Sequence, residues 1–333
     1  MEFSVMKLAV VTGGSGFIGS HLVDELLRRD FRVRCLVRPS SSLRWLQDPR
    51  IECTEVDFSN QDSVTEACSG AAYIVHCAGV IAGRTLEDYM ESNRGMTEVM
   101  LRAALVHKPT LERFLHISSL TAVGPASSPT EPVHAGTKAN PITDYGRSKL
   151  SAEEVVLGSA ARLPVTIIRP PAVYGERDES TLTLFRAMKF HVALLMGFSP
   201  KWVSIVNVHD LVRGSIDAML SDRTLGKTYT ITGDRAHTWK EIFNEIAWSM
   251  ESRYLSVRLP HALVLTLGAI SGFFGRFTKK PPVFNYDKGI DFVQTSWTCS
   301  NDDAAADFGY SPRISLRDGI QQTTAWYRAQ GWL

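Results

Sequence analysis

The stretch VVTGGSGFIGSHL, residues 10 to 22, constrains the fold more than any other. It sits between KLAVVTG, an apolar, β-branched run that reads as a buried strand, and GSHLVDELLRRD, whose Leu22, Leu26 and Leu27 have helical spacing. Gly13, Gly16 and Gly19 lie three residues apart in the turn between them. Glycine there permits a tight turn and lets the backbone approach a pyrophosphate at the helix N-terminus. A bare glycine-rich turn would bind nothing, but a turn placed between a first strand and a first helix favours a dinucleotide. Ser15, Phe17 and Ile18 complete the loop expected to line it.

The pattern continues through the first half of the chain. RVRCLV, IECTEV, AAYIVHCA, RFLHIS and LPVTIIRP read as further strands, each preceded by a helical or turn-rich segment. Strand and helix alternating in this way imply a parallel sheet covered on both faces. The expected fold is α/β, a Rossmann doubly wound parallel sheet with a smaller C-terminal substrate lobe. Residues 1–175 form the dinucleotide-binding domain and 176–333 the lobe, with about 203–222 rejoining the main sheet. At 333 residues the chain can bury a full core of this kind.

Thirty-six basic residues against 35 acidic ones, with no basic run or stripe, argue against a nucleic-acid partner. Cys35, Cys53, Cys68, Cys77 and Cys299 show no C-x-x-C spacing. They read as small buried apolar residues of a reducing, cytoplasmic compartment and not as a disulfide frame or metal site. The start, MEFSVMKLAVVTGG, has no signal-peptide pattern. HALVLTLGAISGFFGRFTKK, residues 261–280, carries an apolar run of roughly 16 residues, short of the about 20 needed to cross a bilayer. It reads either as a buried helix or substrate lid, or as an in-plane membrane helix with Lys279 and Lys280 at the headgroups.

The second strand ends in Arg38, followed by Ser40, Ser41 and Ser42. An acidic residue at this point takes the ribose hydroxyls of NAD, whereas an arginine accommodates the 2′-phosphate of NADP. A guanidinium beside hydroxyls favours NADP over NAD. Asp57, in EVDF with Phe58, is placed to accept from the adenine amino group, and HCAG passes backbone at Ala78 and Gly79 along the cofactor.

LHISS ends the fifth strand and puts Ser118 and Ser119 at the carboxyl edge of the sheet, where open α/β sheets bind ligands. Tyr145 and Lys149 are one helical turn apart in ITDYGRSKLSAEE. Such a pair is either a surface contact or a phenol tuned by an ammonium, and convergence with a serine on one crevice favours the second.

In these motifs the sequence resembles an extended short-chain dehydrogenase/reductase of the NAD-dependent epimerase/dehydratase superfamily. TGGSGFIG, VDF, HCAG, ESNRG, ISS, YGRSK, RPPAVYG and VNVHDLV carry the likeness over essentially the whole chain. The resemblance implies that Tyr145 is the general acid/base and that Ser119 hydrogen-bonds the substrate oxygen. It further implies that Lys149 holds the nicotinamide ribose and depresses the tyrosine's pKa. Asn93 orders the active-site helix or a water chain, and Pro170, Ala172 and Val173 lie near the carboxamide. SSLTAVG lacks the Asp-Glu pair of dehydratases and the extra tyrosine of galactose epimerases, and RPPAVYG lacks the asparagine typical of sugar-nucleotide enzymes. What remains resembles the 3β-hydroxysteroid dehydrogenase and dihydroflavonol reductase branch. The implied activity is NAD(P)-dependent interconversion of a secondary alcohol and a ketone on a fairly hydrophobic molecule. A sugar or sugar-nucleotide epimerase is the alternative, and intact Ser119, Tyr145 and Lys149 argue against a non-catalytic role. A homodimer through residues 86–107 and 145–160 is the family expectation.

Overall fold

The computed structural model describes residues 6–278 and 281–333. Lys279 and Lys280, expected at membrane headgroups, lie outside the described residues. Leu8–Thr12 (β1), Arg32–Val37 (β2), Ile51–Glu55 (β3), Tyr73–His76 (β4), Arg113–Ile117 (β5) and Val165–Arg169 (β6) lie in one sheet with Lys227–Thr230. The order is Lys227–Thr230, β6, β5, β4, β1, β2, β3, with every pairing parallel. This is the expected doubly wound sheet. Its order reverses between β1 and β4, the switch point at which such sheets bind ligands.

β1, β4, β5 and β6 are buried along their whole length, as near-continuous apolar strands covered on both faces must be. One apolar layer packs Leu22, Leu26 and Val23 of the first helix, Phe17–Arg28, beside Leu211, Val212 and Ile216 of the helix Val208–Leu220. The opposite layer holds Val64, Met100, Leu101 and Phe114. Burying a leucine such as Leu22 or Leu26 contributes about 1.5–3 kcal/mol.

The expectation that residues 203–222 rejoin this sheet needs correction. The helix Val208–Leu220 does pack on the Rossmann layer, against the first helix and β5. The strand Trp202–Asn207 does not. It is the centre of a second sheet, pairing with Ala172–Tyr174, Ala236–Thr238 and Ser296–Trp297. The place at the edge of the main sheet belongs to Lys227–Thr230, beside β6. A third, two-stranded parallel sheet joins Val192–Met196 to Leu255–Leu259, and the helices His261–Gly275 and Tyr286–Val293 pack on each other beyond it.

Candidate active site

At the carboxyl ends of β1 and β4 lies a cleft of about 520 Å³. Its turn is tight because nothing larger than glycine fits. A Cβ on Gly13, which has φ +74°, would come within 2.7 Å of the Ala78 nitrogen, and one on Gly19 within 2.0 Å of the Gly13 carbonyl oxygen. The facing backbone is pinned from below: His76 Nδ1 and Thr12 Oγ1 are 2.7 Å apart, and Thr12 Oγ1 accepts from the Ala78 N–H. Gly13, Ser15, Gly16, Phe17, Ile18, Gly19, Arg38, Phe58, Ala78 and Gly79 all line the cleft, so the structure brings most of the expected cofactor residues together. Asp57 does not join them. It is exposed, and its carboxylate accepts from the N–H and hydroxyl of Ser59, capping its own turn. Pro170, Ala172 and Val173 are not part of this lining either. Pro170 gives its carbonyl to the Leu120 N–H, and Ala172 and Val173 pair with Ile205 and Val206 in the second sheet.

Around Arg38 the cleft is lined by charges of both signs, Asp178 and Glu179 among them. Arg44 and Arg177 also line it, their guanidinium groups 4.7 and 5.1 Å from the Trp45 ring centroid. Arg44 pairs with Glu179 at 2.5 Å across the cleft, and Arg177 pairs with Asp24 at 2.8 Å. Arg177 Nη1 is buried with no hydrogen-bond partner among the described residues. The residues present fit a dinucleotide, with the pyrophosphate on the Gly13–Gly19 turn. Sequence reasoning missed Arg44 and Arg177 because neither belongs to the glycine motif.

Tyr145 and Lys149 sit on the helix Asp144–Gly158, which Thr143 caps by accepting from the Gly146 N–H. Three further contacts fix that helix. Arg169, at the end of β6, pairs with the buried Glu153 at 2.6 Å. Asn93, buried in a π-wound turn at Met90–Gly95, donates to Ser148 Oγ at 2.8 Å and accepts from the Val80 N–H at 2.9 Å. Asn93 thus orders the active-site helix, one of the two roles open to it from sequence. From the C-terminal lobe, Asp287 accepts from the Asp144 N–H at 3.0 Å and the Tyr145 N–H at 3.4 Å. A carboxylate at a helix N-terminus is stabilising, and here it ties the lobe to the residue beside the chemistry.

Ser119 lies against the Tyr145 phenol, whereas Ser118 Oγ is buried with no partner among the described residues. Ser119 Oγ accepts from both the N–H and the hydroxyl of Thr121, at 3.2 and 2.8 Å. With both lone pairs engaged, its own proton is free to be donated, which suits a group that stabilises a developing oxyanion. Burial pushes the Tyr145 phenol up to about 12, opposed by the Ser119 hydroxyl and reinforced by the Asp291 carboxyl. What acts on the phenol here is its burial, together with Ser119, Asp291, Cys77 and Tyr89. Lys149 Nζ donates to the Ile117 carbonyl at 2.9 Å, and its own burial pulls it down to about 8. Asp291, also missed in the sequence, is buried with its carboxyl raised by burial and with Oδ1 unpartnered among the described residues.

A pH dependence follows from the lysine. Its charge is present below about pH 8 and lost above it, so kcat/KM should fall along a single basic limb in that region. Lys149→Arg, always charged, should move the limb upward. A limb unmoved by that substitution would assign it to another group.

A dinucleotide turn at the switch point, with serine, tyrosine and lysine on the same sheet edge, defines the extended short-chain dehydrogenase/reductase class. Residues 9–231 match the NAD dependent epimerase/dehydratase family, and the chain belongs to it. The chain is 30% identical to the ceramide reductase of Caulobacter vibrioides, covering 100% of this chain and 98% of that protein. It is 30% identical to a 3 beta-hydroxysteroid dehydrogenase/Delta 5-->4-isomerase of Mycobacterium tuberculosis, covering 96% and 90%. These relatives place it on the 3β-hydroxysteroid dehydrogenase-like side of an oxidoreductase-rich family. The crystal structure of UDP-glucuronic acid 4-epimerase from Bacillus cereus, with UDP-glucuronic acid and NAD, superposes with TM-score 0.77 at 20% identity over 97% of this chain and 99% of that one. That likeness concerns the fold.

Proposed function

We propose that the protein is an NADP-dependent reductase that interconverts a ketone and a secondary alcohol on a hydrophobic, lipid-like molecule. The observation that carries the reading is Ser119, with both acceptor positions filled by Thr121, donating into the space beside the Tyr145 phenol. The bound nicotinamide supplies or accepts a hydride at its C4 and is cationic when oxidised. The remaining work falls to the chain. Tyr145, held protonated by burial, gives its phenolic proton to the substrate oxygen in the reductive direction. Ser119 donates a hydrogen bond to the same oxygen as charge develops on it. Lys149 holds the ribose and offsets the negative charge left on the phenol. SSLTAVG brings Thr121, not a carboxylate, next to Ser119, which supports redox chemistry over elimination.

The substrate class is supported by relatives whose names refer to ceramide and hydroxysteroids. The preference for NADP is supported by Arg38, which lines the cleft at the end of β2 where NAD sites carry an acidic residue. One experiment addresses both: NADPH and NADH oxidation are followed with a panel of long-chain and steroidal ketones, in wild type and in Arg38→Asp. Net NADPH consumption with a member of the panel is expected, with the NADPH/NADH ratio of kcat/KM falling about tenfold or more in the variant, as loss of a charge-assisted phosphate contact requires. Protein purified with stoichiometric dinucleotide and consuming none with any ketone would instead indicate an epimerase. A homodimer through the helices of residues 86–107 and 145–160 belongs to the same proposal; a monomeric mass in solution would remove it.

A further inference from the structure

The helix His261–Gly275 has one covered side and one bare one. Val264, Gly268 and Gly275 face inward, and the chain at Asn285 approaches Gly268 so closely that a Cβ there would meet the Asn285 carbonyl at 2.6 Å. Leu263, Leu267, Ile270, Phe273, Phe274 and Phe277 fall on the opposite side and are exposed. At the start of this helix the apolar surface continues onto the two-stranded sheet. His261 lies against Gly197, and Arg258 Nη1 donates to the Phe198 carbonyl. Phe198, Phe273, Phe274 and Phe277 are each between 54% and 78% exposed. Bare aromatic side chains clustered this way on one face mark an interaction surface.

Charge says what kind. In sequence, 180–209 and 252–278 contain no aspartate or glutamate, and Arg186, Lys189, Arg253, Arg258 and Arg276 within them are exposed. Lys201, Lys240 and Arg258 line a recess of about 120 Å³ together with Leu195 and Met196. Exposed apolar side chains in segments that carry cations and no acids complement an anionic bilayer surface. No helix among the described residues is long and apolar enough to cross a membrane.

We propose that the protein docks peripherally on anionic membranes through this face, the phenylalanines entering the headgroup region and the cations meeting lipid phosphates. The proposal stands on the surface alone and does not depend on the reductase reading. It does give that reading a route for its substrate. The helix following the bare one carries Asp287 to the N-terminus of the Tyr145 helix, and Arg84 Nη2 donates to the Thr278 carbonyl from the loop beside the cleft. The docked segment is thus contiguous with the site.

The test is sedimentation of the full chain with phosphatidylcholine vesicles, with and without phosphatidylglycerol, against the triple variant Phe273→Ser, Phe274→Ser, Phe277→Ser. Wild type is expected to sediment with the anionic vesicles and to be released by salt. The variant should bind about tenfold or more weakly, since its apolar contribution is gone, while NADPH binding in solution is unchanged. Absence of vesicle binding at low salt would overturn the proposal, as would equal binding by the variant. If wild type self-associates in solution and the variant does not, the face serves a second copy and the membrane assignment falls.

Discussion

Tyr145→Phe lowers kcat by about 10²- to 10⁴-fold, the range removed with a positioned acid/base, while the dissociation constant for NADPH stays within about twofold of wild type. The substitution keeps the ring that packs 6.1 Å from Tyr89, so the helix and the pocket wall are preserved. What it removes is the proton delivered to the substrate oxygen and the group against which Ser119 is set. The two effects separate in rapid mixing. Hydride transfer slows in single turnover, while cofactor binding, read from nicotinamide fluorescence, does not. An unchanged single-turnover rate would move proton transfer to another residue, and the buried Asp291 would be the next to substitute.

Gly19→Ala weakens cofactor binding through the opposite kind of change, the addition of a single methyl group. The new Cβ would sit 2.0 Å from the Gly13 carbonyl oxygen and 2.6 Å from its carbon, and both of these atoms belong to backbone that cannot swing away. Overpacking of this kind costs about 1–3 kcal/mol, which is about 5- to 150-fold in the dissociation constant if the turn opens to relieve it. Fluorescence titration with NADPH measures the loss. Gly158→Ala is the control, because a Cβ there meets nothing within 4 Å. Equal affinities for the two variants would show that the turn yields without disturbing the ligand.

The parts of the site legible in the sequence were those set by short-range geometry. Gly13 to Gly19 fixes a turn, Tyr145 and Lys149 share a helix face, and Ser119 ends a strand, all from spacing within a few residues. Arg44, Arg177, Asp287 and Asp291 reach the site or its supporting helix from other segments, and nothing local distinguishes them from ordinary surface charges. The same limit explains Trp202–Asn207. Its apolar run is as compatible with the main sheet as with the second one, and only the partners decide. The burial of Tyr145 and the direction of Lys149 Nζ, turned to the Ile117 carbonyl, are likewise properties of the assembled interior.

The π-wound turn at Met90–Gly95 places Asn93 between Val80 and Ser148. A π turn holds one residue more than the α-helix it interrupts. Deleting a residue next to Asn93 in this hexapeptide would let the turn relax to ordinary α winding, with the segments on either side keeping their register. Asn93 could not then serve both neighbours. The residue count of this segment thus matters to the site alongside the identity of its asparagine.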